Sequence, residues 1–374
     1  MNLIKKSMAF TVILANLFGI ITAANPSVGK NNSNDEQDKK EAVKTLTTPL
    51  HLAVMSGNAD LVNALLSASS NIYASKNFTE PKNDKKSQAS SSDKKGQPSD
   101  KKLVMNVGVA QTAKEWPKSK EYIEDFYSFN SNYEPYFFGI FDGHGGNESA
   151  EHTSKKLYSN ITKLQNFPSV EAICDGFLIT DNQIKDKKTD AGCTAATAFI
   201  INNKIYLAHT GDSRILLSKN GTVVWSSVDH DPTNEKEQVR IYQAGGKISD
   251  SRLDGVLAVS RALGDYFEKD EKPKGLIATP DIAEFDLDGS FDCMILASDG
   301  IFDNLISGKE ADATTRNKEV AALVYKSLAK TKSAQDAAQA LIKQVKATDK
   351  ARYMHFAQYP HDDLTAMVVT FTWL

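Results

Sequence analysis

Short apolar runs bounded by turn-forming residues recur from about residue 103 to the end of the chain. The runs at 136–141 and 293–298 are rich in aromatic and β-branched residues, and they predict two buried strands. Neighbouring runs predict two β-hairpins, one over 195–210 with its turn at Asn202-Asn203, and one over 214–225 around Asn220-Gly221. The region is therefore expected to be rich in antiparallel sheet.

Helical periodicity interrupts this strand pattern at a few places. An amphipathic pattern predicts a helix over 147–161, and a second helix is predicted over 319–329. Ser333 with Asp336 forms a capping box, which predicts that a third helix begins there. Groups of strands with helices between them favour an α+β fold over an alternating parallel sheet.

The first residues have the layout of a secretory signal peptide. A lysine pair at 5–6 precedes an apolar stretch over 8–21 and small residues at 22–24. Residues 1–24 are therefore predicted to be a cleaved signal peptide; the alternative is an uncleaved membrane anchor, for which the apolar stretch is short. In both cases the remainder is expected to be exported from the cytoplasm, either secreted or periplasmic.

A single ankyrin-like repeat is predicted over 47–75, after a polar disordered segment at 25–46. Residues 48–53 have the sequence Thr-Pro-Leu-His-Leu-Ala, which fits the opening of an ankyrin repeat. No second copy follows, and residues 76–102 have the Lys- and Ser-rich composition of a disordered linker. Because one repeat cannot bury its own apolar face, it either docks on the rest of the chain, binds a partner protein or is a remnant.

Composition and charge narrow the class of protein. A chain of 374 residues with 41% hydrophobic residues can form one large globular domain plus a smaller element. The net charge of −3 gives no support for a nucleic-acid-binding face. The three cysteines, Cys174, Cys193 and Cys293, are too few for a disulfide framework, and the last two are expected to be small buried side chains.

Acidic residues border the strand-like runs at four widely separated places: Glu124-Asp125, Asp142, Asp299 and Asp362-Asp363. A single Asp-Gly pair more often marks a turn. Carboxylates brought together at strand ends repel one another and lose water, so they are tolerable only around a cation. Oxygen-only ligands select a hard cation such as Mg²⁺ or Mn²⁺, and the four patches therefore suggest a metal site.

These acids belong to a longer series of short motifs. The series is Glu124-Asp125, Phe141-Asp142-Gly143-His144-Gly145-Gly146, Gly192-Cys193-Thr194-Ala195, Gly211-Asp212-Ser213-Arg214, Ala244-Gly245-Gly246, 257–265 (LAVSRALGD), 297–303 (ASDGIFD) and Asp362-Asp363. In this order, over about residues 103–374, it resembles the type 2C metal-dependent protein serine/threonine phosphatases. The resemblance implies a central sandwich of two antiparallel β-sheets with helices outside each sheet, and a metal cleft at one end.

The resemblance also implies a ligand set for Mg²⁺ or Mn²⁺. That set is Asp142 bridging two ions, Asp299 and Asp362 on one ion, Glu124 and the backbone carbonyl of Gly143 on the other, and Asp212 with Asp299 on a weaker third ion. Two hard cations about 3.5–4 Å apart would lower the pKa of a bridging water and neutralise charge on the phosphoryl oxygens. His144 is expected to protonate the departing serine or threonine oxygen, and Asp303 to orient metal-bound water.

Two positions depart from the family pattern. Lys120 stands where relatives carry an arginine, so phosphate is expected to meet a point charge there rather than a bidentate clamp, with Lys114 or Lys118 as alternatives. Asp363 stands where relatives usually have asparagine, and its carboxylate either tightens metal binding or points away. Arg214 and Arg261 are expected to pair with acids near the cleft.

The sequence thus predicts hydrolysis of phosphoserine and phosphothreonine in proteins at a binuclear Mg²⁺ or Mn²⁺ centre. The catalytic side chains are His144 and Lys120, and the partners are a phosphorylated protein and a possible further protein at the ankyrin-like repeat. The alternative is a catalytically weak binding protein with the same fold. Lys120 favours that alternative, whereas the complete set of ligands disfavours it.

Overall fold

The computed structural model describes residues 103–113, 122–267, 271–305, 311–356 and 362–374, with residues 349–356 described by their backbone alone. The predicted signal peptide, ankyrin-like repeat and linker, and also Lys120, lie outside these residues. Among the described helices, none combines the length and apolar character needed to cross a membrane.

Two five-stranded antiparallel sheets form the centre of the described domain. In spatial order the first sheet contains β1 (Leu103–Thr112), β15 (Leu364–Trp373), β14 (Cys293–Ala297), β8 (Arg214–Lys219) and β9 (Thr222–Ser226). The second contains β13 (Asp281–Asp286), β7 (Lys204–Thr210), β6 (Ala195–Ile201), β3 (Tyr136–Phe141) and β2 (Phe126–Asn130). Both predicted hairpins and both predicted buried strands are confirmed, although Ser298 follows β14 instead of ending it.

Side chains that alternate along the strands build the core in layers. Phe138 and Ile140 of β3 meet Met294 and Leu296 of β14 between the two sheets. The intervening residues of both strands face outward, and helices cover them. The result is the predicted α+β sandwich of two antiparallel sheets with helices outside each one.

Two helices cover the second sheet and three cover the first, while a further short helix packs beside the sandwich. They are α1 (Glu148–Thr162), α2 (Val170–Lys185), α3 (Glu235–Gln243), α4 (Asp299–Asp303), α5 (Ala313–Thr331) and α6 (Ala334–Phe356). The first predicted helix agrees with α1 to within one residue. The prediction for α5 was too short, because Asp312 caps this helix by accepting from the Thr315 amide at 2.9 Å.

The prediction that α6 begins at Ser333 is confirmed, since the Asp336 N–H donates to Ser333 Oγ at 3.1 Å. Only half of the predicted capping box forms, because the Ser333 N–H donates to Thr331 Oγ1 at 3.3 Å. The start of α6 lies against β1, where a Cβ on Gly108 would meet the Ala334 backbone at 2.2 Å. Beside this contact, the side-chain amide of Gln335 donates to the Val109 carbonyl at 2.7 Å and accepts from the Val109 N–H at 3.1 Å. The side chain of Gln335 therefore occupies both outward hydrogen-bonding groups of that strand residue.

Three very short strands complete the part of the fold that positions the site. β4 (Gly143–His144), β5 (Gly192–Cys193) and β12 (Leu263–Gly264) form a small sheet with β5 in the middle. A two-stranded ribbon, β10 (Ile248–Ser249) with β11 (Arg252–Leu253), lies between α3 and β12 in the sequence.

Candidate metal centre

The predicted ligands come together in one cleft. It has a volume of about 230 Å³, and the predicted site residues that line it are Glu124, Asp142, Gly143, His144, Asp212, Asp299 and Asp362. All predicted site residues other than Lys120, which lies outside the described residues, are therefore brought together. They arrive from the start of β2, the end of β3, the loop after β7, the end of β14 and the start of β15.

Asp142 is held at the centre of the cleft by its own backbone. It follows β3 directly, and its N–H donates to Thr194 Oγ1 at 3.2 Å while its carbonyl accepts from the Thr194 N–H at 2.8 Å. Thr194 Oγ1 also lies 2.7 Å from Ser213 Oγ, beside Asp212. The Gly-Cys-Thr-Ala motif thus connects the two segments that carry these aspartates.

Carboxylate oxygens of Asp142, Asp212 and Asp299 all lie within 4.8 Å of one another. Burial raises the pKa of Asp142 well above its usual range, and the charges of Asp125 and Asp299 raise it further. Burial and the charge of Asp299 likewise raise the pKa of Asp212. Mutual repulsion of this kind is relieved by a cation, and a purely oxygen donor set fits a hard divalent ion such as Mg²⁺ or Mn²⁺.

Close backbone packing places Glu124 beside Gly143. A Cβ on Gly143 would lie 2.5 Å from the Glu124 carbonyl oxygen, so any side chain at Gly143 would push the two segments apart. The Glu124 N–H donates to Asp363 Oδ2 at 2.7 Å, and the Asp363 side chain is buried. Asp363 therefore anchors the backbone of Glu124. Of the two roles expected for Asp363, this hydrogen bond favours a carboxylate that points away from the metal position.

Asp125 is a buried acid next to Glu124 for which no separate role was predicted from the sequence. Only 1% of it is exposed, and it accepts from Ser298 Oγ at 2.9 Å and from Thr365 Oγ1 at 2.7 Å. Burial raises its pKa to about 7 against the opposing effect of these hydrogen bonds. Its Oδ1 is buried without a hydrogen-bond partner among the described residues, and in its charged form Asp125 raises the pKa of Asp142.

His144 lies at the edge of the cleft and is paired with a second buried acid. Its Nε2 is 2.8 Å from Asp265 Oδ1 and 3.0 Å from Oδ2. Burial lowers the pKa of His144, but the Asp265 charge and hydrogen bond outweigh burial and raise it overall. Asp265 stands in one of the quoted motifs, yet nothing in the sequence indicates that it faces a residue 121 positions away.

Arg252 is the functional candidate that sequence reasoning missed. Apart from His144, it is the one basic side chain among the described residues that line the cleft. It is exposed on β11, and its guanidinium donates to the Val256 carbonyl at 2.7 Å. The signal that could have found it is its place shortly before the LAVSRALGD motif, although no local pattern distinguishes it from a surface arginine.

The other two arginines near the cleft are structural, as predicted. Arg214 is buried and donates to Asp229 Oδ1 at 2.9 Å, with its guanidinium carbon 4.3 Å from the centre of the Phe302 ring. Arg261 pairs with Glu237 at 2.7 Å and with Asp281 at 2.7 Å. Asp303 pairs with Arg316, and its role in orienting water stays a prediction.

A group of His209, His230 and Asp281 has the residue types of a second metal site but the wrong protonation pattern. The Gly211 N–H donates to His230 Nδ1 at 3.2 Å, so the ring hydrogen lies on Nε2, which faces Asp281 at 3.4 Å. His209 Nε2 is 2.9 Å from the Val228 carbonyl, which requires a hydrogen on that nitrogen. These hydrogen bonds give His209 and His230 a structural role, which is to support the loop before Asp212.

The cysteines are not nucleophiles. Burial raises the pKa of both Cys193 and Cys293 to about 12, so the reactive thiolate is disfavoured at neutral pH. Both are free and buried, which confirms the prediction of small buried side chains.

Comparison with known proteins decides the family. The sequence model described as Protein phosphatase 2C matches residues 110–352. The chain belongs to the protein phosphatase 2C family. A second model, described as Ankyrin repeat, matches residues 46–77 and confirms the repeat predicted from the Thr-Pro-Leu-His motif. The protein phosphatase 2C family is metal-dependent, and the match does not distinguish Mg²⁺ from Mn²⁺.

Relatives within the phosphatase 2C family are found in plants and fungi. The chain is 39% identical over 210 residues to "Probable protein phosphatase 2C 7" of Oryza sativa subsp. japonica, covering 53% of this chain and 54% of the relative. It is 42% identical over 189 residues to "Protein phosphatase 2C homolog 2" of Schizosaccharomyces pombe, covering 47% of this chain and 51% of the relative. The chain thus spans about half the length of these curated relatives.

The phosphatase 2C fold is confirmed by solved structures. A serine-threonine phosphatase 2C from Toxoplasma gondii superposes with a TM-score of 0.57 at 21% identity, covering 72% of this chain and 95% of that one. A Caenorhabditis elegans sex determining protein superposes with a TM-score of 0.56 at 18% identity, covering 85% of this chain and 74% of that one. At this level of identity the likeness concerns the fold.

Proposed function

We propose that the protein hydrolyses phosphoserine and phosphothreonine in proteins at a binuclear centre of Mg²⁺ or Mn²⁺. The observation that carries the proposal is the cluster of Asp142, Asp212 and Asp299 oxygens within 4.8 Å of one another at one end of the sandwich. The raised pKa values of Asp142 and Asp212 mark buried carboxylates that lie among other acids.

The cations would be held by the residues that the sequence pattern selected. Asp142, Asp299, Asp362 and Glu124 would supply carboxylates, and Gly143 would supply its backbone carbonyl; all five residues line the cleft. Divalent cations there neutralise phosphoryl charge and make water acidic enough to attack phosphorus near neutral pH. The remaining work, which is to hold the substrate and protonate the leaving oxygen, falls to side chains of this chain.

Arg252 and His144 suit that remaining work. Arg252 places an exposed guanidinium on the rim of an otherwise acidic cleft, where a phosphate dianion arriving from solvent would meet it first. His144 has a raised pKa and lies beside Gly143, so a protonated imidazole is available to a departing alkoxide. Lys120 remains a predicted phosphate contact.

The test is hydrolysis by the full chain of an aryl phosphate and of a phosphothreonine peptide, each with Mg²⁺, with Mn²⁺ and with chelator. We expect phosphate release from both substrates that requires the metal and is lost in Asp142→Ala and Asp299→Ala. A folded protein that binds the metal but turns over neither substrate would contradict the proposal and would support the binding-protein alternative.

We further propose that the ankyrin repeat binds a protein and that the chain is exported. The match over 46–77 supports the first, since ankyrin repeats as a class bind proteins, and the basic-then-apolar N-terminus supports the second. Fractionation of the cells that make the protein, with N-terminal sequencing of the mature chain, tests export; an intact N-terminus in the cytoplasmic fraction would refute it.

A further inference from the structure

His144 and Asp265 form a closely fitted pair that the proposed chemistry leaves unexplained. The histidine belongs to the cleft, and its side chain is 31% exposed, whereas the side chain of Asp265 is 1% exposed. Both carboxylate oxygens lie within hydrogen-bonding distance of the same ring nitrogen, Nε2, at 2.8 and 3.0 Å. The buried carboxylate therefore contacts the partly exposed histidine from the protein interior.

The small three-stranded sheet creates this pair. His144 on β4 lies opposite Gly192 on β5, and Gly264 on β12 lies opposite the same glycine. A Cβ at Gly192 would lie 2.1 Å from Asp265 Oδ2 and 2.4 Å from His144 Nε2. Because Gly192 on the central strand has no side chain, the side chains of His144 and Asp265 can meet in the space beside it.

The backbone aims Asp265 into that space. Asp265 follows Gly264, and its own φ of 57° lies in the left-handed region, which aspartate and asparagine tolerate better than most residues. Its N–H donates to the Ala191 carbonyl at 3.1 Å, next to Gly192. An uncommon backbone conformation held by the fold is a sign of a specific task for the side chain.

We propose that Asp265 is a positioning residue, which fixes the His144 ring through Nε2 so that Nδ1 is the atom that protonates the leaving oxygen. A carboxylate acceptor on Nε2 keeps the hydrogen on that nitrogen. The proton that leaves the ring is then the one on Nδ1. This inference rests on the proposed phosphatase function and adds the donor atom and its support.

The attacking water forms the new P–O bond and gives up one proton to the solvent. The bond from phosphorus to the serine or threonine oxygen breaks, and that oxygen takes the proton from Nδ1. His144 is left neutral with its hydrogen on Nε2, still donating to Asp265. A proton from solvent restores Nδ1–H for the next turnover.

The Asp265→Asn variant tests the pair, because asparagine has the same shape and tolerates the left-handed backbone. We expect kcat on a phosphoserine peptide to fall by about 10- to 100-fold, and kcat on 4-nitrophenyl phosphate to fall by less than about 3-fold, because the nitrophenolate leaves without a proton. Loss on both substrates to the same extent would overturn the proposal.

Asp181→Asn is the matched control. Asp181 is also a buried acid, and it accepts from the Gly264 N–H and from the Tyr266 hydroxyl, each at 2.8 Å, on either side of Asp265. It therefore supports the same loop without contacting His144. We expect the ratio of the two activities in this variant to equal that of the wild type, and a changed ratio would assign the effect to the loop rather than to the pair.

A double variant separates positioning from general structural support. If Asp265 acts through His144, adding Asp265→Asn to His144→Ala lowers the peptide rate no further. Additive losses would overturn the proposal. Independently of turnover, ¹⁵N spectra of the Mg²⁺-loaded protein should show the His144 hydrogen on Nε2, and a hydrogen found only on Nδ1 would contradict the pair even if the phosphatase proposal failed.

Discussion

At the scale of single residues, the acids that serve the proposed chemistry of the cleft lower the stability of the fold. Asp142 is packed among acids that raise its pKa, so its charge opposes folding when no cation is present. A site of this kind is expected to be more stable when one of its charges is removed.

Asp142→Asn should therefore stabilise the metal-free protein while abolishing turnover. We expect an increase of about 1 kcal/mol in the free energy of unfolding in chelator. Addition of Mg²⁺ should stabilise the wild type more than the variant, because the variant has lost a ligand. Urea unfolding with and without Mg²⁺ measures both effects.

The control for this experiment is Asp363→Asn. Its carboxylate accepts from the Glu124 amide, so removing the charge should lower stability in chelator rather than raise it. Stabilisation by both substitutions would show that any lost acid has the same effect, and would contradict the special role of Asp142.

Arg252 carries the second prediction at this scale. Arg252→Ala should lower kcat/KM for phosphopeptides by about 10- to 100-fold, because a charge-assisted contact to phosphate is worth roughly 1.5–3 kcal/mol. Arg252→Lys should recover part of the loss, since lysine keeps the charge but not the planar fork. Steady-state kinetics measure the effect.

Lys204→Ala is a suitable control for Arg252, because Lys204 is a partly exposed cation that pairs with Glu284 and does not line the cleft. Its kcat/KM should equal that of the wild type. Equal losses in Arg252→Ala and Lys204→Ala would indicate a general effect of surface charge.

At the scale of elements, Glu237 ties helix α3 to the neighbouring loop and strand. Its carboxylate accepts from Arg240 at 2.6 Å and from Arg261 at 2.7 Å, and also from Ser260 Oγ at 2.7 Å. Burial raises the pKa of Glu237, but these hydrogen bonds outweigh it and lower the pKa to about 2. The charged form is therefore the one that stabilises the fold.

Glu237→Gln should cost about 3–5 kcal/mol near neutral pH, because it leaves two partly buried guanidinium groups without their shared partner. The stabilisation by Glu237 is complete above the ordinary pKa of 4.5 and is lost as the pH falls through about 2. The difference in unfolding free energy between wild type and variant should therefore shrink over that acidic range.

Glu235→Gln controls for helix charge, since Glu235 is exposed in the first turn of the same helix. Its effect should stay below about 1 kcal/mol. A Glu237 variant as stable as this control would refute the assigned role of the network.

The strands and helices also differ in how well the sequence pattern predicts them. Strands such as β6 and β7 were predicted to the residue, because apolar runs and an Asn-Asn turn are local signals. The helices α2 and α3 were not predicted. The buried face of α2 repeats at helical spacing, but it includes Gly176, Thr180 and Asp181, so these non-apolar residues interrupt the apolar stripe.

At the scale of the whole molecule, the acids that gather in the cleft were predictable because each stands at the end of a recognisable run in a fixed order. Asp265 and Arg252 were not, because their importance comes from which distant segment they meet. His144 and Asp265 are neighbours only through pairing across β5. Such pairing depends on the register of very short strands, which carry almost no pattern of their own.

The contact between α6 and β1 has a consequence for how copies of the molecule behave in a crowded solution. Strand β1 lies at one edge of the described sheet, and an edge strand can pair with a strand of another molecule. Gln335 fills both outward groups of Val109, much as a passing backbone would. Gln335 therefore blocks strand pairing at Val109 and disfavours edge-to-edge aggregation at this position.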